Sequence, residues 1–428
     1  MMRFKKETLA NGTRLLFVPH DDTAATALLV LYEVGSRYET ARLGGAAHFL
    51  EHLMFKGTRR RPDNLAISRD LDAVGADYNA FTWRDCTGYY IKLTADRLPL
   101  AADMLGDLLH HSLLRPADLD QERGVILEEI RMYEDNPLLQ VESLMEEDLY
   151  HGSALGRQVA GTVASVTALR RADLLAFQKA HYRPARTVVA VAGKFDEAKA
   201  RALVTKQFGR PADGGAGPNY RRFTLATADY RRPRLRFVAK DTEQYQAALG
   251  FPSYGYGHRR LAALSVLNVI LGGNMSSRLF LEVRERRGLA YFVRSAVNTY
   301  QDIGNLSIQA GIARDRLPQA LTVIAAELKK LKDKPVPAEE LTRAKEFIKG
   351  KMILHLEESS ELAEWCARQE LLEKRLVAPE EKLKRIFAVT AADVQAAARD
   401  LIRPNRLALA VIGPKTDERA LERLVVRL

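Results

Sequence analysis

The chain has 428 residues, 47% hydrophobic and 28% charged, which suits a globular protein with a sizeable core and two or more domains. Its 65 basic and 54 acidic residues give a formal charge of 65 − 54 = +11, but they are interspersed and form no long basic run, so no nucleic-acid partner is expected. The two cysteines, Cys86 and Cys366, lie far apart without metal-type spacing, which argues against a disulfide framework and for a reducing compartment.

The opening stretch, MMRFKKETLANGTRLLFVPHDD, has no apolar core of signal-peptide length and no small-residue cleavage site. The run TALLVLYEVGS is too short to span a bilayer. A cytoplasmic protein with no membrane partner is expected. RLLFVPH and TALLVLYEV read as strands.

AAHFLEHLMFKGT follows, from Ala46 to Thr58, as a helix. Positions i and i+4 share a helix face and i+3 lies beside them. His48, Glu51 and His52 therefore sit on one side, while Ala47, Phe49, Leu50, Leu53 and Met54 bury the rest. Two imidazoles in such a helix are costly unless something satisfies them. Hydrogen-bonded core histidines are one reading. The other is a metal site, because H-x-x-E-H is a zinc signature with a mechanism behind it. Zinc then needs a third protein ligand and an open fourth position.

DYNAFTWRDCTGYYIKLT reads as a strand pair, and RLPLAADMLGDLLHHSLL as an amphipathic helix. An acidic helix, DLDQERGVILEEIRMYEDN, begins at Asp118 and offers the third ligand. Glu129 shares a face with Val125, Ile126, Met132 and Tyr133, expected to point inward. Glu128 lies nearer Gln121, Gly124, Arg131 and Asp135, the wet side. Glu129 is the expected ligand. Glu122, two turns earlier on the same face, is either a support for a histidine or a helix-surface carboxylate. The stretch HGSALGRQVAGT, from His151, reads as a structural loop without a catalytic role.

The order of elements then recurs. DRLP stands at Asp96 and at Asp315, an offset of 315 − 96 = 219, and AVAG at Ala190 matches AVIG at Ala410, an offset of 220. Arg183-Pro184 matches Arg403-Pro404 at the same offset of 220. Such self-similarity marks a duplicated unit. GRPADGGAGPNY, Gly209 to Tyr220, has linker composition. The expected organisation is a zinc-carrying domain over 1–208, a linker over 209–220 and a homologous domain over 221–428. Each is an α+β unit, a mixed β-sheet with helices packed mainly on one face. The repeat offset sets Asn268 and Gly272 opposite His48 and His52. Those cannot hold a metal, so one Zn2+ per chain is expected.

His48-x-x-Glu51-His52 followed by Glu129 resembles the inverted zinc signature of the pitrilysin–insulinase superfamily of metallopeptidases. The two-domain chain resembles the branch containing mitochondrial processing peptidase and its bacterial homologues. The resemblance spans nearly the whole chain. It implies that His48, His52 and Glu129 bind zinc, that Glu51 is the general base and that Glu122 is a supporting acid. LGGNMSSRLFLEVRERRGLAYFV is similar to a C-domain motif in which an arginine and a tyrosine, here Arg284 and Tyr291, meet the substrate. On the residues alone, Arg284 pairs with Glu282 or Glu285 and Tyr291 is strand core. GADYNAFTW resembles a substrate-binding edge strand centred on Asn79 and Ala80, where an extended peptide adds by main-chain hydrogen bonds.

The resemblance further implies a zinc endopeptidase acting on peptides or unfolded segments inside a chamber of four such domains, hence a homodimer. Three rivals stand beside it: a non-catalytic subunit of a peptidase-like complex, a zinc hydrolase of a non-peptide substrate, and a basic nucleic-acid-binding protein.

Overall fold

The computed structural model describes residues 3–211, 215, 217–225, 230–418 and 421. Part of the expected linker, residues 212–214 and 216, lies outside the described residues. The strands, in chain order, are β1 (Lys5–Thr8), β2 (Arg14–Pro19), β3 (Ala25–Tyr32), β4 (Asp77–Thr82), β5 (Thr87–Thr94), β6 (Thr187–Gly193), β7 (Arg234–Ala239), β8 (Gln244–Ser253), β9 (Ala290–Thr299), β10 (Gly304–Ala313) and β11 (Ala408–Gly413). They form a six-stranded sheet ordered β1-β2-β6-β3-β5-β4 and a five-stranded sheet ordered β7-β11-β8-β10-β9. Both are mixed, with one parallel pair each, β2–β6 and β7–β11, in an α+β architecture.

The duplication extends to the pairing register. Leu29 on β3 faces Ala190 on β6, and Ala248 on β8 faces Ala410 on β11, offsets of 248 − 29 = 219 and 410 − 190 = 220. Leu16 faces Ala190 across the parallel pair, and Arg236 faces Ala410, again 220 apart. A slip of one residue would turn every side chain to the other face, so the two sheets share one pairing register. Among the described residues, β1 has no counterpart strand in the second sheet.

The compact units cross the chain halves. One comprises Met1–Ile130, Arg157–Tyr220 and Met352–Pro379; the other comprises Arg131–Gly156, Arg221–Lys351 and Glu380–Leu428. In the first unit, helix Ser359–Arg368 packs on β3 and β6. The helices Ala46–Met54 and Leu98–His111 contribute to a separate core cluster with Leu28, Val30, Val189 and Val191. In the second unit, helix Pro137–Leu149 packs on β8 and β11, with Met145 seated where a Cβ on Gly250 would stand 2.1 Å from its sulfur. Helix cover on both faces explains why β6 is buried along its whole length, as a two-sided strand must be.

Candidate metal centre

Helix Ala46–Met54 buries Ala46, Ala47, Phe49, Leu50, Leu53 and Met54. The three remaining positions, His48, Glu51 and His52, form a half-buried stripe. Helix Pro116–Asp135 runs beside it and buries Leu119, Glu122, Ile126 and Ile130. Glu129, next to Ile130, is half-buried, while Glu128 is exposed. One expectation is corrected. Val125, Met132 and Tyr133 are 47%, 54% and 39% exposed, so the inward face is not theirs. The buried stripe runs through 119, 122, 126 and 130, and at about 100° per residue Glu129 lies on its flank beside Glu122. That flank faces the two histidines.

Glu129 Oε2 lies 3.6 Å from His48 Nε2 and 3.7 Å from His52 Nε2. One donor atom each from His48, His52 and Glu129 falls within 4.8 Å of the others, the one such His/Cys/Asp/Glu group among the described residues. A tetrahedral zinc with bonds of about 2.0–2.1 Å sets its donors about 3.3 Å apart. The distances from Glu129 to the two histidines are within about half an ångström of that spacing. Glu51, Glu122 and Glu129 with Lys56 carry a net −2 when ionised, which suits a divalent cation.

Electrostatics act differently on the three donors. Burial, helped by the neighbouring His52, pulls His48 down to about 4, so its ring is neutral at pH 7. Burial opposes protonation of His52 too, but its hydrogen bond to Glu122 and the charges of Glu51, Glu122 and Glu129 outweigh that and raise it. His52 Nδ1 lies 3.0 Å from Glu122 Oε2, an arrangement in which Nδ1–H donates and Nε2 keeps its lone pair for a metal. Glu122 is 3% exposed. Burial raises its carboxyl, but His52 and Lys56 together hold it below the usual range. Glu129 is raised, by burial against the pull of His52. His48 has no brace comparable to Glu122, and its Nδ1 is buried without a hydrogen-bond partner among the described residues.

Two participants were not anticipated from sequence. Lys56, two residues past the end of helix Ala46–Met54, pairs with Glu122 Oε1; its spacing of four from His52 was the available signal. Thr82, at the end of β4, donates its hydroxyl to Glu51 Oε2. The alternation of β4 put Thr82 on the Ala80 side, but only the packing of helix Ala46–Met54 against β4 brings it to Glu51. Burial raises the Glu51 carboxyl, opposed by Thr82 and His52.

β4 is the terminal strand of its sheet. Asn79 and Ala80 lie on it opposite Tyr90 and Tyr89, and the Ala80 N–H donates to Asn79 Oδ1 at 2.8 Å. Arg284 and Tyr291 belong to the other compact unit. Arg284 is the penultimate residue of a π-helical turn, Phe280–Glu285, and its guanidinium stands 4.9 Å from the Phe280 ring centroid and 5.6 Å from that of Tyr291. Tyr291 is 75% exposed rather than strand core. Glu282 pairs with Arg286 and Arg287, while Arg284 is 3.8 Å from Glu285.

The second copy has lost the donors. In helix Leu261–Leu271, Asn268 Oδ1 accepts from Ser295 Oγ at 2.7 Å. A Cβ on Gly272 would stand 2.6 Å from Ser295 N. These positions serve close packing against β9.

A duplicated mixed-sheet fold with a His–His–Glu cluster between two of its helices suits a metallopeptidase class, and comparison with known proteins gives the family. Residues 16–163 match the family model described as insulinase (peptidase family M16), and residues 168–348 match that of the peptidase M16 inactive domain. An uncharacterised zinc protease of Streptomyces coelicolor is 38% identical over 97% of this chain and 91% of its own. The zinc protease YmxG of Bacillus subtilis is 34% identical over 96% and 98%. The crystal structure of a protease from Helicobacter pylori superposes with a TM-score of 0.91 at 25% identity, covering 97% of this chain and all of that one. The chain belongs to the insulinase family of peptidases. Among the described residues no helix is long and apolar enough to cross a membrane.

Proposed function

We propose that this chain is a zinc-dependent endopeptidase that cuts peptides or unfolded polypeptide segments. The observation that carries the reading is the convergence of His48, His52 and Glu129 within 4.8 Å, with the carboxylate of Glu51 on the same helix stripe. The zinc protease names of the relatives support the choice of metal. Bound there by His48, His52 and Glu129, zinc would supply a Lewis acid for water and for the scissile carbonyl.

The remaining chemistry belongs to the protein's own groups. Thr82 occupies Glu51 Oε2, which leaves Oε1 to accept the proton of the attacking water and deliver it to the leaving amine nitrogen. Burial raises the Glu51 carboxyl, which favours its taking and then releasing that proton. Glu122 holds the His52 tautomer. Asn79 and Ala80 present the edge strand to an extended peptide. Arg284 and Tyr291 contact the substrate and stabilise the oxyanion. In this reading residues 1–208 carry the zinc domain, 221–428 carry the copy that supplies Arg284 and Tyr291, and a homodimer closes the chamber.

The test is direct. Purified protein should contain one zinc per chain, and removal by a chelator should abolish hydrolysis of a peptide library followed by mass spectrometry, with recovery on adding zinc. Zinc binding without any cleavage would favour a non-catalytic subunit instead.

A further inference from the structure

The helix that carries His48 and His52 has no cap of its own. Gly45 precedes it in left-handed conformation, φ 89°, and supplies no side chain to the first amides. No side chain fits there. A Cβ on Gly45 would stand 2.6 Å from the Ala160 carbonyl oxygen, and one on Gly161 would stand 2.5 Å from that of Gly44. Gly161, in the loop that begins at His151, thus has a structural role, letting two backbones touch at the start of the helix. A buried helix start must still satisfy its free N–H groups.

Glu39 does so from outside the helix. It is 4% exposed. Its Oε2 accepts from Gly45 N at 2.9 Å and its Oε1 from Ala47 N at 2.8 Å. The Arg157 guanidinium donates to the Glu39 carbonyl oxygen, tying the same loop to the same residue. Burial raises the Glu39 carboxyl, opposed by the amides of Ala47, Gly45 and Ala46 and the charge of Arg157; with both oxygens accepting N–H groups, the geometry is that of the anion. An anion at a helix N-terminus is also favoured by the aligned peptide dipoles.

We infer that Glu39 is a positioning residue for His48, acting as a long-range cap that holds the first turn of the metal-type helix. His48 is the third residue of that helix. Its Nδ1 has no partner among the described residues, whereas His52 is oriented by Glu122. The aim of the His48 ring therefore depends on the backbone of the first turn, and Glu39 is what closes that turn. The consequence for metal rests on the zinc reading above; the cap itself does not.

Hydrogen exchange on the metal-free native chain tests the cap alone. The amides of Gly45 and Ala47 should be protected, and exchange at unprotected rates would overturn the inference even if no variant folds. Glu39→Gln keeps the shape but turns an amide donor toward one of the two N–H groups. It should speed exchange over residues 45–48 by about tenfold, the size of a lost helix cap. It should weaken zinc binding, read by competition with a chromophoric chelator, by a similar factor. Glu122→Ala should weaken zinc without changing exchange at 45–48. Glu39→Gln protein with exchange and zinc affinity both within twofold of the parent would refute the positioning role. A native chain that binds no zinc but protects Gly45 and Ala47 would refute the metal reading and leave the cap standing.

Discussion

Truncating Glu122 to alanine isolates the support of one histidine. The carboxylate is 3% exposed, holds His52 Nδ1 at 3.0 Å with one oxygen and pairs with Lys56 through the other. Glu122→Ala strands a His52 N–H with no acceptor, a cost of about 1–3 kcal/mol for a buried donor. It also releases the ring to rotate or to change tautomer. Loss of such an outer partner typically weakens a metal site 10–100-fold, equivalent to about 1.4–2.7 kcal/mol. Lys56 touches the far oxygen, so Lys56→Met leaves the His52 bond in place and should change zinc affinity by less than about threefold. The assay is chelator competition on apo protein, with circular dichroism and thermal melting as controls for folding. A folded Glu122→Ala protein that binds zinc within twofold of the parent would refute the argument. So would equal losses in the alanine variant and in Lys56→Met.

Other outcomes follow from the same geometry. Glu51→Gln should retain a full equivalent of zinc and lose peptide turnover by several orders of magnitude, measured by metal analysis beside a fluorogenic peptide assay. Thr82→Val should lower turnover with zinc occupancy unchanged, since its hydroxyl touches Glu51 and none of the three donors. Glu129→Gln should weaken zinc, while Glu128→Gln, on the exposed side of the helix, should leave the dissociation constant unchanged; the reverse result would mean that the register of helix Pro116–Asp135 is wrong. Arg284→Ala and Tyr291→Phe should impair cleavage without loss of zinc. If the chamber is a homodimer, mixing inactive Glu51→Gln with inactive Tyr291→Phe chains should restore activity, up to about half the sites of each heterodimer; verified heterodimers that stay inactive would remove the shared-chamber model.

Much of this protein is set by local order along the chain. The spacing of His48, Glu51 and His52 puts them on one stripe of a helix because 3.6 residues make a turn, and the apolar residues between them bury the other sides. The repeat at offsets of 219 and 220 announced two sheets with equivalent registers, because pairing of a half-buried strand tolerates no slip. Helical phase also set Glu129, half-buried, apart from Glu128, exposed, although the neighbours assigned to the inward face, Val125, Met132 and Tyr133, are themselves exposed. Burial on a helix depends on what packs against it, and no periodicity within the helix states that.

Tertiary structure alone decided the rest. Helix Pro137–Leu149 and helix Ser359–Arg368 each cover a sheet from the other half of the chain, which internal similarity cannot reveal, because similarity records descent and packing records contact. Thr82 meets Glu51 across 31 positions, and Glu122 meets His52 across 70. Glu39 looks like an ordinary loop acid until Gly44 and Gly45 are seen pressed against Ala160 and Gly161. A ligand motif can be written in a few neighbouring residues because one helix turn aligns them; the groups that hold those ligands in place come from other elements, and only the folded chain brings them within hydrogen-bond distance.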